Sequence, residues 1–374
     1  MHADRFRRLL DAQGPFVSLY FDDSHDTADA GAQLDARLRD IRKNLEEQSV
    51  DACVVESIAA AVRATHPPVG RSGRGLVASA TTGAILLDEH LAVPPVSTLI
   101  RVSDLPYIVP VVAHGIPHTS SLLVAVDHTG ADISLHDGVS LHDGTAAPET
   151  VDGSGYPIHK AHKADTAGYG GPQGRVQEAI RKNIREVAQR LTQLVDETGV
   201  DVVFVTGEAP ARAELLAELP ERVAVKTVQL QGGGRTAGTD RDEVDREVAQ
   251  EFARRRQVVI SAAAERFAAG HGAGLAVEGL GEVTAALRDG AVDTLIIGDL
   301  GAATVIADHD QLLLGTDAAA VSALGGSPDR VLPADEALPL LAVATGAALV
   351  PAEAARTLTD GVAAVLRYAD TGQR

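Results

Sequence analysis

The sequence predicts an α/β and α+β protein of three domains, from its length, the alternation of apolar strands with amphipathic helices, and a shift of charge along the chain. At 374 residues the chain exceeds one ordinary domain and suits two or three. Its hydrophobic content of 45% is ample for buried cores. The net charge of −19 is uneven: residues 261–374 hold 6 Lys/Arg against 15 Asp/Glu, whereas residues 156–190 hold 7 against 3. The expected domains are 1–118, an N-terminal α+β unit; 119–255, a middle α/β unit with a mixed sheet; and 256–374, an acidic α/β unit.

In the first domain a short helix (5–12) precedes PFVSLYFD (15–22), whose alternation predicts a strand. A polar helix over 28–48 carries Leu34, Leu38, Ile41 and Leu45 on one face, and a second helix stops at Pro67-Pro68. GRGLVASATTGAILLDEHL predicts two strands around Thr82-Gly83. The proline-rich segment 94–117 is strand-like. In the middle domain SLLVAVDHTGADISLHDG (121–138) predicts a hairpin turning at Thr129-Gly130. An amphipathic helix over about 175–198 buries Val176, Ile180, Ile184, Val187, Leu191 and Leu194. VDVVFVTGE is a continuous apolar strand of the parallel, doubly buried kind. A helix (211–219) and the strand VAVKTVQL follow. After the glycine-rich LQGGGRTAGTD (230–240) a long helix, about 241–269, carries the chain into the third domain. There VEGLGEVTAALRDG reads as helix, VDTLIIG and AATVIA as strands, AAVSALGG as helix, and RVLPA, GAALV and VAAVLRYA as strands.

Several function classes are disfavoured. No apolar run reaches the ~18–20 residues of a membrane span. The N-terminus lacks the apolar core of a secretory signal, and the single Cys53 forms no internal disulfide. The expected location is the cytoplasm. A surface of this acidity does not bind nucleic acid at large, and aromatics at 3% without tryptophan do not build a base-stacking platform. VGRSGRGL (69–76) and QGGGRTAG (231–238) lack the Lys-Ser/Thr pair of a phosphate loop and read as flexible basic loops. Gly153-Ser154-Gly155 lacks the spacing of a nucleophile elbow, and Cys53 reads as core. His159 and His162 lack a third ligand at metal spacing. No catalytic residue, metal site or cofactor is expected.

What stands out is IHKAHKADTAGYGGPQGRVQEAIRKNIREV (158–187). His159, Lys160, His162 and Lys163 lead to a Gly170-Gly171-Pro172-Gln173 tip, and Arg175, Arg181, Lys182 and Arg185 lie on the helix behind it. Glu178 precedes Lys182, and Glu186 precedes Arg190, by four residues, so helix pairing absorbs part of the charge. The remainder suits an excursion into a phosphate-lined space.

These segments, in this order, resemble the archaeal and eukaryotic class I peptide-release factor and Pelota family, in which a Gly-Gly-Gln loop opens a basic helix of the middle domain. LGEVTAALRDGAVDTLIIGDL and DGVAAVLRYA resemble that family's ribosomal-protein-like α/β third domain, and the resemblance spans a three-domain release-factor-like architecture. It is closest to the bacterial Balon-type ribosome hibernation factors. The resemblance implies a first domain at the decoding centre and an excursion towards the peptidyl-transferase centre, with His159, Lys160, His162, Lys163, Gly170, Gly171, Pro172, Gln173, Arg175, Arg181, Lys182 and Arg185 on ribosomal RNA. It also implies the 70S ribosome as partner and an acidic third domain facing elongation factor Tu or another translational GTPase. Off the ribosome the expected state is a monomer, without a membrane partner.

The departures matter as much. Proline has a fixed φ and no N–H, and its insertion before Gln173 displaces the glutamine by up to ~3.5 Å, where ~1 Å already costs about a hundredfold. The Asn-Ile-Lys-Ser stop-codon loop is absent as well. The expectation is therefore a non-enzymatic A-site occupant acting in dormancy. The alternatives are a Pelota-like rescue factor, residual peptidyl-tRNA hydrolysis through Gln173, and an acidic stress protein without ribosome contact.

Overall fold

The computed structural model describes residues 3–64, 71–116, 120–137, 148–155, 172–235, 241–308, 313–353 and 356–368. The chain forms two compact units, one of Pro117–Arg254 and one combining Met1–Ile116 with Arg255–Arg374.

The combined unit opens with α1 (Arg7–Leu10), β1 (Phe16–Asp22), α2 (Ala30–Glu47), α3 (Ala52–Ala64), β2 (Gly73–Ser79), β3 (Ile85–Leu91), β4 (Leu99–Ser103) and α4 (Val109–His114). Its strands form an antiparallel sheet ordered β3-β2-β1-β4. The alternation of β1 serves two cores. Val17, Leu19 and Phe21 pack against Leu38, Ile41 and Leu45 of α2 and Val54, Ile58 and Val62 of α3, while Phe16 and Tyr20 face the other side. The expected strand-like segment 94–117 divides into β4 and the helical turn α4, with Pro110 in the first turn, where its missing N–H costs nothing.

The middle unit contains β5 (Ser120–Val126), β6 (Gly130–Asp137), β7 (Glu149–Asp152), α5 (Pro172–Thr198), β8 (Val202–Gly207), α6 (Ala209–Glu218), α7 (Glu221–Ala224) and β9 (Thr227–Gln229). The sheet is ordered β7-β6-β5-β8-β9 and is mixed, antiparallel through β7-β6-β5 and parallel through β5-β8-β9. Leu122, Val124, Val203 and Val205 face Ile184, Val187 and Leu191 of α5 and Leu215 of α6. The strand expected over VAVKTVQL is shorter. Pro220 stands at the N-cap of α7, Val223 and Ala224 complete that turn, and pairing begins only at Thr227.

The long helix α8 (Arg241–His271) contributes to both units. Val244, Val248 and Phe252 pack on Val202 and Phe204, whereas Ala263 and Phe267 pack on Ile296, Val350 and Val365. Beyond it come β10 (Ala276–Glu278), α9 (Leu280–Arg288), β11 (Val292–Ile297), β12 (Thr304–Ala307), β13 (Leu314–Gly315), α10 (Ala318–Ala323), β14 (Arg330–Pro333), α11 (Ala334–Ala344), β15 (Ala348–Pro351) and β16 (Val362–Leu366). Their sheets are ordered β10-β16-β11-β15 and β13-β12-β14.

The segments expected as first and third domains lie in one unit because their apolar faces merge. Phe6, Tyr20, Leu91 and Val111 share a cluster with Val283, Leu295 and Leu338. Polar contacts seal the seam: Arg101 on β4 reaches Asp335 at 2.8 Å and Glu336 at 3.4 Å, and Ser103 Oγ donates to Glu336 at 2.6 Å. Burial pushes the Glu336 carboxyl above its usual range.

Candidate nucleic-acid interface

Helix α5 begins at Pro172, three residues earlier than the periodicity predicts. Proline at the first helical position has the right φ and loses only an N–H that would have no helical partner. Pro172 and Gln173 therefore lie in the first helical turn rather than in a loop, and Arg175 shares that turn. The expected contacts His159, Lys160, His162, Lys163, Gly170 and Gly171 fall outside the described residues.

Arg181, Lys182 and Arg185 are described and exposed. Their Cα atoms span about one helical turn, ~6 Å. Arg185 approaches Glu218 at 3.7 Å with both side chains largely in solvent, a pairing of little energetic weight. Arg181 and Lys182 form no ion pair among the described residues.

Other basic residues are spent on the fold. Arg190 does not take the helical partner expected for it. Its Nε and Nη2 donate to the two oxygens of Glu149 on β7 at 2.6 and 2.9 Å, tying α5 to the sheet edge, and hydrogen bonding to Arg190 holds the Glu149 carboxyl below its usual range. Glu186 instead accepts from Ser154, through N–H at 2.7 Å and Oγ at 2.5 Å. In the described parts of the two glycine-basic stretches expected as flexible loops, Arg74 and Arg235 are likewise anchored. Arg74 lies on β2, fully buried, with Nε and Nη2 donating to Asp88 at 2.7 and 2.6 Å. Arg235 sits among Asp127, Asp132 and Asp152 at 3.1, 3.2 and 3.5 Å.

Cys53 is exposed rather than core, at the N-terminal turn of α3. Its hydrogen bond to Asp51 raises the thiol pKa, which opposes a reactive thiolate. Among the described residues no group of three His, Cys, Asp or Glu side chains is placed to hold a metal, and no helix is long and apolar enough to cross a membrane. Sequence reasoning missed Asn183, which is 2% exposed on α5. It accepts from Gly155 N–H at 2.8 Å and donates to the carbonyl of His128 at 3.2 Å. A polar residue at the margin of an apolar stripe was its only signal.

The sequence model described as bacterial archaeo-eukaryotic release factor family 2 matches residues 120–273, a span holding α5 and all of α8. Uncharacterized protein Rv2629 of Mycobacterium tuberculosis H37Rv is 47% identical over 375 residues, covering 100% of this chain and 98% of that protein; uncharacterized protein MT2704 of strain CDC 1551 matches equally. Among solved structures, the archaeal translation termination factor aRF1 aligns over 98% of this chain and 99% of its own at 14% identity and a TM-score of 0.25. Archaeoglobus fulgidus Pelota aligns over 81% and 86% at 14% identity and 0.36. Ribosome-bound archaeal Pelota, from a structure that also holds ABCE1, aligns over 98% and 94% at 14% identity and 0.39.

Proposed function

The chain belongs to bacterial archaeo-eukaryotic release factor family 2, and from that premise we propose that it is a ribosome-binding factor that occupies the A site without releasing peptide and preserves ribosomes in dormancy. The observation that carries this reading is the exposed turn of Arg181, Lys182 and Arg185 on α5. On a chain of net charge −19, and with Arg74, Arg190 and Arg235 committed internally, this turn is a place where phosphate contact is electrostatically favoured. Such contacts position a protein on RNA without reading sequence.

The reading is non-enzymatic. Gly-Gly-Gln release chemistry requires a glutamine held at the ester bond, and here Pro172 intervenes and begins the helix that contains Gln173. Acidic residues 256–374 supply the face for a protein partner, a translational GTPase such as elongation factor Tu. Action on ribosomes implies a cytoplasmic protein.

The test is co-sedimentation with vacant 70S ribosomes over a salt series, wild type against the Arg181→Glu/Lys182→Glu/Arg185→Glu variant. Each lost phosphate contact should remove roughly 0.7–0.9 from the slope of log affinity against log salt, and the triple variant should bind weakly with a shallow slope. Equal binding and equal slope would remove α5 from the interface. Separation into subunits would point to Pelota-like rescue, and peptide release that Gln173→Ala abolishes would point to hydrolysis.

A further inference from the structure

Asn183 and Glu186 share a turn of α5 with the three exposed basic residues. At about 100° per residue, Ile184, Val187 and Leu191 define the buried face, and Asn183 stands at its margin. Glu186 follows, then Lys182 opposite the buried face, with Arg185 and Arg181 beyond it on the far side. Glu186 and Lys182 differ by only about 40° around the axis. Asn183 and Glu186 thus occupy the flank between the core and the basic stripe.

Both hold the same short segment. Gly155 N–H donates to Asn183 Oδ1 at 2.8 Å, while Ser154 N–H and Oγ donate to the carboxylate of Glu186 at 2.7 and 2.5 Å. Gly153 N–H donates to Thr129 O at 2.9 Å, and Asn183 Nδ2 reaches His128 O in that same β5–β6 turn. The fit is steric as well: a Cβ at Gly153 would collide with the side chain of Asn183, and one at Gly155 would meet Asn183 Oδ1 at 2.5 Å and Ala179 O at 2.8 Å. A buried asparagine inside a helix is unfavourable unless its amide is satisfied. Here it is satisfied by backbone groups from two other segments.

We propose that Asn183 and Glu186 are positioning residues of the nucleic-acid interface, fixing Gly153–Gly155 along the flank of the basic stripe so that chain and stripe meet RNA in one defined arrangement. This rests on the ribosome-binding reading.

The test compares wild type with Asn183→Ala, Glu186→Gln and Gly153→Ala/Asn183→Ala. In the free proteins, amide exchange at Gly155 should accelerate about tenfold in Asn183→Ala, the equivalent of one hydrogen bond. Residues 187–195 of α5 should keep wild-type protection. Gly153→Ala alone should perturb the segment, and the double variant should relieve only part of the clash, because residue 183 keeps the Cβ that lies 2.4 Å from the added methyl, so the two effects are not additive. On 70S ribosomes, Asn183→Ala should weaken binding about tenfold with an unchanged salt slope, because no cation is lost. Glu186→Gln, which keeps an acceptor for Ser154, should fall between. Unchanged exchange at Gly155 would overturn the clamp. Faster exchange with wild-type affinity would reduce the pair to a structural role and overturn the proposal. Failure of the wild type to sediment would sink the ribosome reading and this role together, whereas wild-type binding that Asn183→Ala leaves intact would sink the role alone.

Discussion

Asp23, just past β1, has a side chain wholly removed from solvent, and neither carboxylate oxygen accepts a hydrogen bond among the described residues. The nearest cation, Arg74 Nη1, is 3.9 Å from Oδ2. That guanidinium is already engaged, donating to Asp88, to Val62 O at 2.9 Å and to Ala61 O at 3.0 Å. Burial therefore outweighs the attraction of Arg74, His25 and Arg37, with Asp88 opposing ionisation, and the Asp23 pKa rises from 3.8 to about 6. Ionised Asp23 costs the folded state roughly 3 kcal/mol, from about two pKa units at 1.36 kcal/mol each. Because the folded pKa lies above the unfolded one, the contribution of Asp23 to stability is fully present below about pH 4. It is lost as pH rises through 6, with about half of the loss accruing beyond pH 5.

Asp23→Asn removes this dependence without orphaning Arg74, which keeps its bidentate partner Asp88. The amide brings its own cost of about 1–3 kcal/mol if unsatisfied, so the absolute offset is not the decisive quantity. The decisive quantity is the change in offset with pH. Urea unfolding of both proteins at pH 5 and pH 7.5 should show the variant gaining about 1–1.5 kcal/mol relative to wild type at the higher pH. Parallel stability profiles would refute the argument, as would a carbon-13 titration placing the Asp23 carboxyl near 4.

Arg101→Met removes the seam contacts to Asp335 and Glu336 and the guanidinium stacked 3.6 Å over the ring of Tyr107. It should cost about 2 kcal/mol, less than fully buried pairs because a third of Arg101 is in solvent, read as a lower urea midpoint for the combined unit. Gly207 has φ +121° and no room for a Cβ against the Val126 carbonyl, whereas Gly199 has φ +67° and open space. Gly207→Ala should therefore cost upwards of ~3 kcal/mol and Gly199→Ala only about 1, a contrast measurable as two melting temperatures.

What the sequence revealed was local. The two parities of β1, the apolar face of α5 and the doubly buried β8 are periodic signals, and the mixed middle sheet follows from them. Helix α11 escaped because it has almost no polar face: Ala334, Ala337, Leu338, Leu341, Ala342 and Val343 are all buried, and Pro339 lies inside it. Without amphipathic contrast there is no helical period to read. Charged residues escaped for a different reason. Glu186 and Arg190 have helical spacing, yet each takes a partner from the β7 region. Arg74 sits in a glycine-basic string that reads as loop, yet it is a core residue because Asp88, fourteen positions away, meets it across the β2–β3 pair. Such choices depend on tertiary proximity, which spacing does not encode.

The same accounting bears on why so acidic a protein would present a basic turn. When most guanidiniums close internal contacts, the exposed cations that remain gain weight out of proportion to their number, because the surrounding carboxylates repel phosphate elsewhere. Three contacts at Arg181, Lys182 and Arg185 correspond to a salt slope of only about −2 to −3, far shallower than that of a broadly basic RNA-binding protein. Affinity built this way is modest in electrostatic terms and must be supplemented by shape and by a protein partner. A steep salt dependence from the wild type would mean that contacts outside this turn, such as those expected at Lys160, Lys163 and Arg175, dominate, and would move the main interface away from Arg181, Lys182 and Arg185.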